Sequence, residues 1–109
     1  MSALYKMTYV GGTGEGFGTI FVGNGTLLGT VGGGKINGTY TEDGGRLKGD
    51  ATLSMPQGGV LVTGVEMPAG SEIPLSIDWP SELADGNAHS ISVAGKEMQI
   101  TFEKVGDIP

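Results

Sequence analysis

Residues Gly29-Thr30-Val31-Gly32-Gly33-Gly34-Lys35 satisfy all but the last position of G-x-x-x-x-G-K-[ST], the loop whose backbone N–H groups cradle nucleotide phosphates. The last position is Ile36, so the magnesium-binding hydroxyl is missing. Asn37-Gly38-Thr39-Tyr40-Thr41 then continues as a strand pattern, with no helix N-terminus to hold phosphate. The run reads as a hairpin loop. Gly14-Glu15-Gly16-Phe17-Gly18 raises the same question and fails on spacing, since G-x-G-x-x-G is absent. Three glycines at alternate strand positions share one face and permit bending or close backbone approach, as a curved barrel wall requires, and their bare side is open to a neighbouring subunit, a ligand or the protein's own core.

Other chemistry is sparse. His89 is the only histidine, with Asp85 four residues before it and Ser90 and Ser92 after it. In a strand, Ser90 and Ser92 point away from His89, so no local Ser-His-Asp constellation forms, and there is no G-x-S-x-G elbow. A histidine hydrogen-bonded near a turn is the expected role. Glu42, Asp43 and Asp50 lack the D-x-D-x-D-G loop of a calcium site. With no nucleophile–base pair, metal cluster or cofactor loop, the expectation is a protein that is not an enzyme and uses no cofactor or metal. Asn24-Gly25-Thr26 and Asn37-Gly38-Thr39 match the glycosylation triplet, but Asn-Gly is also the preferred pair of a two-residue hairpin, and turns are expected at both.

The elements that would position these residues are strands. Turn signals recur at short intervals: Gly11-Gly12, Asn24-Gly25, Gly32-Gly33-Gly34, Asp43-Gly44-Gly45, Pro56-Gln57-Gly58-Gly59, Pro68-Ala69-Gly70, Asp85-Gly86-Asn87 and Ala94-Gly95. Leu47, Gly49, Ala51, Leu53 and Met55 alternate with polar residues, as do Met98, Ile100 and Phe102. Further strands are expected over 4–10, 14–22, 26–31, 35–41, 60–66, 73–78 and 89–94. Pro80-Ser81-Glu82-Leu83 offers at most one short helical turn. Trp79, on the face of Ile73, Leu75 and Ile77, reads as a core or barrel-end aromatic.

The sum is an all-β, antiparallel, up-and-down barrel of the lipocalin or calycin kind, with about eight strands, forming a single domain over residues 1–109. Closure removes the exposed edges of an open sheet. Two segments are apolar on both faces: Phe17, Ile20, Phe21 and Val22, and Val60, Leu61, Val62 and Val65. The candidate dimer face is therefore Phe17, Phe21, Val60, Leu61, Val62 and Val65, with a homodimer expected.

Bulk properties narrow the partners. Glycine fills 22 of 109 positions without a G-X-Y period, and 38% of residues are hydrophobic, which fits a turn-rich folded protein. Twelve acidic against six basic side chains give a net charge of −6, which disfavours nucleic acid and anionic membrane. No apolar run is long enough to span a bilayer and no signal pattern opens the chain, so a cytoplasmic location is expected. The chain has no cysteine, hence no disulfide and no thiolate chemistry.

The scatter of turns and apolar positions resembles the GrlR family of small regulators of bacterial type III secretion. The matching residues are Tyr5, Gly14-Glu15-Gly16, Asn24-Gly25, Gly32 to Gly34, Tyr40-Thr41-Glu42-Asp43, Leu75-Ser76-Ile77, Leu83, Asp85-Gly86-Asn87-Ala88-His89-Ser90-Ile91 and Gly95. The resemblance implies an eight-stranded lipocalin-like barrel, dimeric, that represses by binding a transcriptional activator protein. It also implies that an acidic stretch makes the partner contact. Glu42 and Asp43 match that stretch, while Gly44 and Gly45 stand where the family has its second acidic pair. The alternative reading of the same strands is a calycin-like barrel that holds a small apolar ligand in its interior.

Overall fold

The computed structural model describes residues 2–109. Its strands are β1 (Ser2–Gly11), β2 (Gly14–Gly23), β3 (Thr26–Val31), β4 (Gly34–Asp43), β5 (Arg46–Met55), β6 (Gly59–Val60), β7 (Glu66–Met67), β8 (Ser71–Pro80), β9 (His89–Val93) and β10 (Lys96–Ile108). Eight of them form one antiparallel sheet in the order β8-β5-β4-β3-β2-β1-β10-β9; β6 and β7 pair separately. The sheet curls into a nearly closed up-and-down barrel, as the turn spacing predicts.

Tight turns carry the meander. Asn24 and Gly25, between β2 and β3, both adopt positive φ (52° and 76°), the backbone that an Asn-Gly hairpin requires. Asn37-Gly38 differs from the expectation: it lies inside β4, where Gly38 pairs with Leu27 on one side and Ala51 on the other. A Cβ on Gly38 would collide with the Asp50 carbonyl and Ala51, so glycine serves close strand approach there and makes no turn.

Alternation decides what is inside. Ala3, Tyr5 and Met7 of β1, Leu47, Ala51 and Leu53 of β5, Ile73, Leu75, Ile77 and Trp79 of β8, and Met98, Ile100 and Phe102 of β10 are all buried. Charged residues such as Lys6, Glu103, Arg46 and Asp78 lie on the outside, where Lys6 meets Glu103 and Arg46 meets Asp78. Among the described residues, no helix is long and apolar enough to cross a membrane.

One expected strand does not form. Residues 60–66 divide into the two-residue β6, a turn, and the start of β7, inside a loop that joins β5 to β8. Gly58, Gly59, Gly64 and Gly70 hold this loop in positive φ, which interrupts the strand that the apolar residues Val60 to Val65 suggest. We call residues 56–70 the strap. The segment after Pro80 is likewise non-helical; its Leu83 is buried at the end of the barrel that also holds Trp79.

Candidate functional site: an apolar cavity in the barrel

The interior of the barrel encloses a cavity of about 220 Å³. Trp79 bounds one end, and the other is bounded by the β3–β4 turn at Gly32 and Gly33 together with strap residues Gly58 to Val62. Between them the wall is aliphatic, built from inward-facing residues such as Ile20, Leu27, Leu53, Leu75 and Ile100. No charged side chain lines it. An uncharged, mainly aliphatic wall of this kind favours apolar guests.

The end beyond Trp79 is plugged. The Trp79 and His89 rings both pack on Phe102, at centroid separations of 5.1 and 5.8 Å. Trp79 Nε1 donates to the Ser90 carbonyl at 3.1 Å, which bridges β8 and β9 at the one junction where the barrel has no backbone ladder. His89 Nε2 lies 3.2 Å from both the Leu83 carbonyl and Asp85 Oδ1. Asp85 also accepts the Asn87 backbone N–H at 2.9 Å, and that bond, with the His89 contact, holds its carboxyl below the usual carboxylate range. His89 thus has the turn-anchoring role expected of it. Ser90 sits on the outer face with Glu97 and Gln99, so the residues of a hydrolytic triad do not converge.

The opposite end is covered by the strap. Thr13, in the β1–β2 turn, holds it through two bonds to one acceptor: its backbone N–H and its Oγ1 both donate to the Val62 carbonyl, at 2.8 and 2.7 Å. Gly11 makes room for that contact, since a Cβ there would meet the Val62 carbonyl at 2.5 Å. Gly58 and Gly70 each donate to the Met55 carbonyl at 3.0 Å, which fixes the two roots of the strap.

The glycine stripe of β2 faces this interior. Gly16 pairs with Tyr9, and the Tyr9 ring lies over its bare backbone, where a Cβ would collide with the ring. Gly18 admits the Thr30 carbonyl of β3 in the same way. At Gly16 and Gly18 the stripe therefore serves close approach within the barrel wall, its bare side turned to the protein's own interior, while Gly14 is exposed. Burial pushes the Tyr9 hydroxyl above the ordinary tyrosine pKa.

The six candidate dimer-face residues do not share one environment. Phe17 and Phe21 lie on the outer face of β2, Phe17 being 63% exposed, while Val60 projects from the strap at 64% exposure. Leu61 and Val62 line the cavity, and Val65 is half-buried in the turn that follows. The apolar character of 61–62 thus has a cause within the chain: these residues roof the cavity. Glu42 and Asp43 are exposed at the β4–β5 hairpin, at the end of the barrel away from the strap. Among the described residues, no group of three His, Asp or Glu side chains could hold a metal ion. The cavity itself was not assignable from single residues, because its walls come from nearly every strand. The signal available was the count of eight strands with glycines on inward faces.

No family model, curated protein or solved structure matches the chain.

Proposed function

We propose that this protein binds a small apolar molecule inside its barrel. The observation that carries the reading is the cavity of about 220 Å³ with an uncharged, aliphatic wall. At about 24 cal/mol per Å³, leaving that volume unfilled by side chains costs on the order of 5 kcal/mol relative to a packed core. A chain that keeps such a space forgoes a large part of a typical domain's stability. A guest that fills it offsets the loss by mass action.

Native mass spectrometry of protein purified from cells, together with thermal shift in the presence of p-xylene, tests this. A retained small molecule, or a melting temperature that rises with p-xylene, is the expected result. The control is Ile36→Trp, which places a large ring at a half-buried lining position and should abolish the shift. A clean apo mass with no response to p-xylene would remove the proposal.

A second reading keeps one observation on its side: the exposed Glu42-Asp43 tip lies at the end of the barrel remote from the strap, free for a protein partner whether or not the cavity is filled. On this reading the protein is a GrlR-like regulator that acts by contacts with an activator protein, as a homodimer formed through the outer face of Phe17 and Phe21. Unchanged partner capture after Glu42→Lys with Asp43→Lys would remove the role of the tip, and a monomeric mass in light scattering would remove the dimer.

A further inference from the structure

We propose that the ligand is a neutral, mainly apolar molecule of about nine carbons with a single hydroxyl or carbonyl group, and that the Tyr9 hydroxyl at the cavity mouth binds that group. The inference rests on the reading of the barrel as a small-ligand binder and specifies what the ligand must be.

Size comes from volume. An apolar cavity of about 150 Å³ holds benzene, so about 220 Å³ suits a guest roughly half as large again. Charge is excluded by the wall, which offers no cation to a carboxylate and no anion to an amine. An ionised group buried there without a partner would lose far more than its apolar contacts return.

Polarity is narrowed by elimination among the lining side chains. Two of them carry a nitrogen or oxygen, Trp79 and Tyr9. The Trp79 N–H is already donated to the Ser90 carbonyl. Among the described residues, the Tyr9 hydroxyl has no hydrogen-bond partner in the protein. It lies beside the β3–β4 turn, 3.7 Å from where a Cβ on Gly32 would stand, and so at the strap end of the cavity. A phenol both donates and accepts, so it can pair with either an alcohol or a carbonyl. Its ring is held in place by the bare backbone of Gly16 beneath it, which makes the hydroxyl a preorganised contact.

The test uses three probes of similar carbon content: p-xylene, 1-octanol and octanoate, titrated at about pH 8, where octanoate is ionised. Trp79, the only tryptophan, bounds the cavity and reports binding by its fluorescence. The expected order is 1-octanol ahead of p-xylene by about three- to tenfold, the worth of one hydrogen bond, with octanoate at least about a hundredfold weaker than 1-octanol. Tyr9→Phe should bring 1-octanol down to the level of p-xylene and leave p-xylene unchanged. Octanoate binding within about tenfold of 1-octanol, or 1-octanol affinity untouched by Tyr9→Phe, would overturn the inference while p-xylene binding still upheld the cavity reading. Failure of all three probes would overturn both.

Discussion

Trp79 Nε1 donates to the Ser90 carbonyl at 3.1 Å, and this bond joins the two edge strands of the sheet, β8 and β9. Elsewhere neighbouring strands are joined by backbone ladders. At this seam a side chain takes over, and Pro74 removes one N–H from β8, which discourages pairing with a foreign strand. Trp79→Phe removes the donor and part of the plug, and should destabilise the fold by about 2–4 kcal/mol. Chemical denaturation measures the loss. Among the eight barrel strands of that variant, hydrogen exchange should show β9 opening first, because it gains its remaining ladder from β10 alone.

Gly38→Ala is expected to cost about 1–3 kcal/mol, because its methyl group meets the Asp50 carbonyl and Ala51 across β4 and β5. Gly12→Ala is the comparison, since a Cβ at Gly12 meets nothing within 4 Å. That change should stay within about 0.5 kcal/mol of the parent protein. Equal effects at the two sites would refute the close-approach explanation for the glycine content of the strands.

The strap should be the element that opens. Thr63 Oγ1 is buried there without a hydrogen-bond partner, a penalty that opening the strap relieves. Thr63→Val should therefore stabilise the protein by about 1 kcal/mol and slow exchange of the 56–70 amides. Thr13→Val deletes the Oγ1 bond to the Val62 carbonyl and should speed the same amides. Exchange measured by mass spectrometry reads both, and opposite signs are the expected outcome.

Acid stability should depend on Asp85. Its carboxyl titrates below the usual range because the ionised form accepts the Asn87 N–H and faces His89. The contribution is complete above the unfolded-state value of about 3.8 and disappears as pH falls through the lower folded value. Asp85→Asn should then lower the melting temperature at neutral pH, with the difference from the parent shrinking toward zero at the acid end of the range. A constant difference across pH would show that the ionised carboxylate is not what matters.

At the alkaline end, burial raises the pKa of both Tyr5 and Tyr9. The stability linked to their neutral forms is intact below about 10 and is lost as pH rises through the higher folded values. An ultraviolet titration should show these two ionising after free tyrosine does. Occupancy of the cavity should delay Tyr9 further and leave Tyr5 in place, which separates the mouth from the plugged end.

Much of this molecule follows from local sequence. Period-two alternation assigns the inward faces of β5, β8 and β10, because a strand with one wet face has a fixed side for its apolar residues. Asn24-Gly25 specifies its turn through the backbone that both residues tolerate. Local rules fail where a residue answers to a neighbour distant in sequence. Asn37-Gly38 has the chemistry of a turn, yet Gly38 is needed for the approach of β5. Val60 to Val65 has the composition of a strand, yet its glycines and the Thr13 anchor make it a roof. The stripe of Gly14, Gly16 and Gly18 fixes a bare face by itself, but only the register that sets Tyr9 over Gly16 shows what that face receives. The cavity is the extreme case, since a volume enclosed by side chains from nearly every strand is a property of closure and has no counterpart in any single segment.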